Sequence, residues 1–266
     1  MASNDGTGTK EGLEKPASSL VKVTSSAPED SQSASESLAS THFEFRLDAS
    51  LSEDAALSLL KRADLSPEVL EQLSKIGELV KYRKVKLALT EHPKTPRHVS
   101  MPLIRQLYTF DLMQVALTPA VPADVKRAAD ETLAHRLEAL ASGERLTLAH
   151  RGSGRIAEEL LADADARVMQ AALQNARLTE SSIVRMLTRP DAHGAFVDAV
   201  AHHPQWSSRR EVRVALLRNE KTPMARAVEF ARGLPPGLLR EILQTSRLPS
   251  NVKEYLLADL AKRGVK

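Results

Sequence analysis

From about residue 50 onward, apolar and polar positions alternate with the period of short amphipathic helices. Val69, Leu70, Leu73 and Ile76 fall at i, i+1, i+4 and i+7, which is one face of a helix. Ala56, Leu57, Leu59 and Leu60 make a similar stripe just before it. Start signals precede both. Ser52 is placed to cap the first helix. Ser66-Pro67 joins a capping serine to proline at the first helical position, where the missing N–H would have had no partner anyway. Phe43 to Leu47 alternates like a strand, but a lone strand has nothing to pair with, so it reads as an extended lead-in.

Start signals recur at Thr95, Val121, Ser153, Thr179, Ser207, Thr222 and Pro249, separated by 26, 32, 26, 28, 15 and 27 residues. Eight residues after each stand Leu103, Ala129, Leu161, Leu187, Ala215, Phe230 and Leu257, all apolar. Thr95-Pro96 and Thr222-Pro223 read as capping threonines followed by proline, and Ser208 with Glu211 has capping-box spacing. A helix with one apolar stripe cannot hide it alone, and stacked neighbours bury successive stripes in one core. The expected fold is therefore all-α, an α-solenoid of short stacked helices. A globular bundle of capped helices is the alternative, because any capped amphipathic helix tends to carry apolar residues at these offsets.

Composition divides the chain. Residues 1–41 hold ten serines and a net charge of −3, too little apolar surface to offset chain entropy, so a disordered acidic tail is expected there. Residues 42–80 are expected to form a helical cap, and 81–266 the repeat domain. Aromatics are only 3% of the 266 residues, which suits stacked helices better than sheets. With no cysteine, disulfides, thiolate metal sites and thiol nucleophiles are excluded. No apolar run approaches the roughly 18 residues that a membrane span needs, and the start lacks a secretory h-region, so a soluble cytoplasmic protein without membrane insertion is expected.

The segments VKLALTEHPKTPRHVSMPLIRQLYTFDL and VRVALLRNEKTPMARAVEFARGL share Ala88-Leu89 with Ala215-Leu216, His92-Pro93 with Asn219, and Thr95-Pro96 with Thr222-Pro223. In these features the chain resembles leucine-rich-repeat-variant units, a subset of HEAT-like α-solenoids, over about residues 80–260. The resemblance implies an arc of helices serving as a binding surface and no reaction. Some members carry an iron–sulfur cluster on cysteines, and that chemistry does not transfer to a chain without them.

Catalytic signals are weak. Gly152-Ser153-Gly154 lacks the spacing of a nucleophile elbow and reads as a flexible turn between helices. His193, His202 and His203 invite a metal reading, but neighbouring helical residues point about 100° apart, so a structural turn is favoured. Glu158, Glu159, Asp163 and Asp165 lie in or just after one helix and read as a solvated face. No enzyme, cofactor or metal is expected. What stands out is charge. Residues 207–266 hold thirteen cations and six anions, mostly arginine, a net of +7 that exceeds the whole chain's +3. Arginine suits bidentate contacts to carboxylate and phosphate. Trp206, Arg209, Arg210, Arg213, Arg218 and Lys221 are the candidate partner-binding residues, on a scaffold or adaptor that holds a protein along its concave or basic C-terminal surface. A nucleic acid held by its phosphates is the alternative partner. Trp206 would then stack a base or anchor a protein, and otherwise it fills a junction between repeats.

Overall fold

A computed structural model describes residues 51–263. The acidic tail at 1–41 and the strand-like stretch at Phe43–Leu47 lie outside the described residues. Within them the structure is all-helical, and none of the helices is long and apolar enough to cross a membrane. Sixteen α-helices follow one another: α1 (Glu53–Leu60), α2 (Pro67–Lys75), α3 (Gly77–Lys81), α4 (Arg83–Glu91), α5 (Arg97–Gln106), α6 (Thr109–Leu117), α7 (Ala123–Ala134), α8 (Ser142–Arg151), α9 (Gly154–Leu160), α10 (Ala166–Leu173), α11 (Glu180–Thr188), α12 (Gly194–His202), α13 (Arg210–Arg218), α14 (Met224–Arg232), α15 (Pro236–Thr245) and α16 (Ser250–Arg263). A 3-10 turn at Leu137–Ala139 follows α7.

Most of these helices are shorter than the ~12–15 residues at which an isolated helix becomes marginally stable, so packing must hold them. The substantial packing pairs join helices no more than three apart along the chain. One series is continuous, with α5, α7, α9, α11, α13 and α15 each lying against the next. The even helices pack beside it, as in α8 against α10 and α10 against α12. The apolar core falls into two clusters that meet inside α5. Leu103 belongs to the one built from Ala56 onward, and Ile104 begins the one that runs to Leu260.

Several start signals act as read. Ser52, Ser66, Ser153 and Thr179 accept from the backbone N–H three residues on. The two Thr-Pro pairs act differently. Pro96 and Pro223 occupy the cap positions of α5 and α14, and the hydroxyls of Thr95 and Thr222 donate backwards, each at 2.6 Å, to the carbonyls of Leu89 and Leu216. A threonine ahead of a capping proline faces the orphan carbonyls of the preceding helix, so it closes that helix and leaves the next uncapped by a side chain. Ser208 forms no capping box; its hydroxyl donates to Gln205 O, and Arg209 holds the cap position of α13.

Of the residues eight positions past the anchors, Leu257 alone is exposed. In α16 the inward position is its neighbour Leu256, fully buried, a slip of one residue. The short 15-residue spacing also has a structural meaning. The anchors up to Ser207 precede odd helices, whereas Thr222 and Pro249 precede α14 and α16. The two most similar segments therefore sit in different places, because α13 belongs to the continuous odd series and α4 packs beside it.

A polar device recurs at four of the turns. Asn175, just after α10, donates from Nδ2 to Ala149 O at the end of α8 and accepts from Arg177 N–H. Asn219 after α13 does the same with Leu187 O in α11 and Lys221 N–H. Ser246 after α15 donates to Leu217 O in α13 and accepts from Leu248 N–H. His92 after α4 accepts from Lys94 N–H at Nδ1, which makes Nε2 the donor to Arg62 O. One side chain thus orders its own turn and satisfies the last carbonyls of an earlier helix.

Candidate anion-binding groove

The six candidate residues do not form one site. Trp206 is only 3% exposed, and its indole N–H donates to Leu173 O at the end of α10, at 2.8 Å. It fills a junction between helices, and no face of it is open to stack a base or anchor a partner. Arg213 turns inward, donating to Ser207 O at 2.6 Å with its guanidinium over the Phe230 ring. Arg209 and Arg210 stand exposed at the start of α13, and Arg218 and Lys221 at its end, roughly 13 Å away at ~1.5 Å rise per residue.

The residues at the end of α13 meet two others. A depression of about 150 Å³ lies where the ends of α11, α13 and α15 converge. Arg189, Arg218, Lys221 and Arg247 line it, together with a single carboxylate, Glu220. Three hydrogen bonds fix the turns to one another. Asn219 Nδ2 donates to Leu187 O at 2.7 Å, Lys221 Nζ to Ala192 O at 2.7 Å, and Arg247 N–H to Arg218 O at 3.0 Å. Arg189 also forks onto Asp191, whose carboxyl it holds below the usual range by hydrogen bonding. The Arg218 and Arg247 side chains are exposed and make no ion pair among the described residues.

Two other grooves of the odd series differ in charge. Arg97, Arg105 and Arg127 line the one between α5 and α7 with Asp124 and Glu131. Arg155, Arg177 and Arg185 line the one between α9 and α11 with Glu158 and Glu159. There the acids are engaged, with Arg97 facing Asp124 at 3.6 Å and Arg185 facing Glu158 at 3.3 Å.

The remaining candidates take structural positions. Ser153 caps α9 and donates to Asp130, whose carboxyl burial pushes up. Its flanking glycines are closely packed against backbone. A Cβ on Gly152 would fall 2.5 Å from Leu148 O, and one on Gly154 2.4 Å from Arg177 O. Glu158 accepts from Ser182, Asp163 pairs with Arg145, and Asp165 caps α10, so these acids serve three separate contacts. Among the described residues no cluster of three or more His, Asp or Glu side chains is placed to hold a metal ion. His203 lies against Trp206, and its Nδ1 is buried without a hydrogen-bond partner.

Arg189 and Arg247 were not among the sequence candidates. Their signal is positional, since Arg189 follows directly on α11 and Arg247 directly on Ser246, the closing residue of α15. The arrangement sets the exposed Arg218 and Arg247 side chains beside one another on turns that are tied together. Comparison of the chain with protein-family models, curated proteins and solved structures gives no match.

Proposed function

We propose that the chain is a non-catalytic scaffold, an α-solenoid of leucine-rich-repeat-variant or HEAT-like kind, that holds an acidic segment of a protein partner on its arginine-rich C-terminal surface. The observation that carries this reading is a charge surplus. Arg209, Arg210, Arg218, Arg232, Arg240 and Arg247 are exposed and unpaired, while residues 207–263 form only two ion pairs, Arg226–Glu229 and Arg263–Asp259. Local packing of successive helices supports the solenoid part, because it presents such residues from consecutive rigid elements. Charge of this kind accelerates encounter and selects complementary partners.

The test is binding of fluorescent polyglutamate to the full chain, compared with the variant R209E/R210E/R218E/R247E. Saturable binding that weakens with salt and disappears in the variant is expected, with the helical circular dichroism unchanged. Preferential binding of duplex DNA or single-stranded RNA, with affinity falling log-linearly in salt, would assign the surface to nucleic acid instead.

A further inference from the structure

We propose that the groove at the ends of α11, α13 and α15 is a phosphate-monoester pocket that reads a phosphorylated serine or threonine side chain on the partner protein. This inference rests on the protein-binding reading of the C-terminal surface and names the group recognised.

Arg218 and Arg247 are unpaired, and with Lys221 they face a single carboxylate, Glu220, while Arg189 is taken up by Asp191; that surplus suits an anion of more than one charge. A phosphate monoester carries about −1.5 to −2 at neutral pH and three strong acceptor oxygens, where a carboxylate carries one charge and two oxygens. Arg218 and Arg247 offer planar, multi-donor guanidinium groups from different helix ends. Helix C-termini ordinarily repel anions. Here the carbonyls of Leu187, Leu216, Leu217 and Arg218 are bonded by Asn219, Thr222, Ser246 and Arg247 N–H. Those bonds mute the negative helix ends, so the guanidinium groups dominate the local field. The same bonds hold the three turns in fixed relation, so the ordering left for binding is that of the Arg218 and Arg247 side chains.

A peptide-borne phosphate fits better than a nucleic-acid backbone. Each of the other two grooves of the odd series would offer a row of phosphates three arginines but also two carboxylates, Asp124 and Glu131 or Glu158 and Glu159, where this groove holds unpaired guanidinium groups. No aromatic side chain lines the groove to stack a base: Trp206 is buried, and the exposed aromatics Tyr82, Tyr108, Phe110 and Tyr255 are not among its lining residues.

The experiment measures binding of a degenerate phosphoserine/phosphothreonine peptide library and its unphosphorylated counterpart to the full chain by fluorescence anisotropy. O-phosphoserine is titrated in parallel while the arginine Nε–H NMR signals are followed. The phosphorylated library should bind at least about tenfold tighter, the scale of hydrogen bonds to a charged group. R218A/R247A should remove that preference. R218K/R247K, which keeps charge and loses the fork, should reduce it, and R232A in α14 should leave it intact. Equal binding of the two libraries overturns the phosphate pocket, and polyglutamate binding, read separately, then shows whether the acidic-partner reading survives. RNA or DNA binding tighter than the phosphorylated library, and lost in R218A/R247A, overturns it in favour of nucleic acid. Fold is checked by melting temperature, and both altered side chains are exposed.

Discussion

The stretch from α5 to α11 and the stretch from α12 to α16 use arginine for similar structural work but with different acceptors. In the first, arginines cross between successive odd helices onto carboxylates, as Arg97 does to Asp124, Arg155 to Glu131 and Arg185 to Glu158. Arg136 is an exception, donating to the carbonyls of Leu107 and Arg105. In the second, the buried reach is onto main-chain carbonyls. Arg226 donates to Ala201 O at the end of α12, Arg263 to Ala231 O at the end of α14, and Lys221 to Ala192 O. Arg226 and Arg263 also pair with Glu229 and Asp259 on their own helices, so of these three groups Lys221 alone binds a carbonyl without a carboxylate. The reach onto carbonyls ties helix to helix without needing a carboxylate on the neighbouring helix, and the surplus of the C-terminal region resides in its exposed, unpaired arginines, which are the ones available to a partner.

The strongest way to break this contrast is at the residue that seats two of the inward arginines. Phe230 is fully buried, with the guanidinium groups of Arg226 and Arg213 at 5.0 and 5.6 Å from its ring centre. Phe230→Ala should cost about 3–5 kcal/mol, the usual range for a buried phenylalanine. Phe230→Leu should recover most of that and leave a residual deficit of about 0.5–2 kcal/mol from the lost ring–cation contacts. Urea denaturation measures both. A Leu variant as stable as the parent would show that the two arginines need no ring beneath them.

Next in size is the carbonyl-directed contact itself. Asn219→Ala removes the donor to Leu187 O and the acceptor for Lys221 N–H, and should cost about 1–3 kcal/mol for a buried group left unsatisfied. Asn175→Ala should cost at least as much, because Asn175 is buried and its Nδ2 donates to Gly152 O as well as Ala149 O. A smaller loss at Asn175 than at Asn219, measured under one set of conditions, would mean that the two turns are not pieces of one device.

Much of this was legible beforehand and some was not, for physical reasons. Ser52, Ser66, Ser153 and Thr179 announced their helices because a cap depends on residue type and a spacing of three, both local. The apolar residues eight positions past the anchors were legible for the same reason, and only α16 slips. Thr95 and Thr222 misled because a hydroxyl next to a helix boundary can serve either helix, and proline at the cap settles which. The 15-residue spacing hinted at a change of phase that only the packing of α13 in the odd series explains. The candidate site was least legible. Arg213 and Arg218 look alike in sequence, yet one lies over Phe230 and the other is exposed, because what a guanidinium meets is set by a different helix, here one whose Phe230 stands 17 residues on.

His203 adds a pH dependence confined to the C-terminal stretch. It follows α12 as His92 follows α4, with proline next in both turns, but its Nδ1 has no donor where His92 has Lys94 N–H. Burial disfavours the charged imidazolium and pushes its pKa below the ordinary 6.5. A folded-state pKa below the unfolded value means that the unfolded chain takes up the proton more readily. Stability should therefore hold above about pH 6.5 and fall as the pH drops from there toward the lowered folded value. Melting temperatures from pH 7.5 to 5 should show this decline in the parent and less of it in His203→Leu. Parallel pH profiles would sink the assignment.

The smallest effect sharpens the comparison most directly. Arg155 and Glu131 are 44% and 49% exposed and 3.4 Å apart, so water screens the pair; Arg226 is 22% exposed and grips a carbonyl. Arg155→Ala should cost under about 1 kcal/mol and less still at high salt, as exposed pairs do. Arg226→Ala strands Ala201 O in a partly buried site and should cost about 1.5–3 kcal/mol, the range for a hydrogen bond to a charged group. Most of that loss should persist in 0.5 M salt, because a carbonyl has no net charge for ions to screen. If instead the Arg226 penalty vanished with salt, its worth would lie in the Glu229 pair, and the two halves would hold their arginines in the same way.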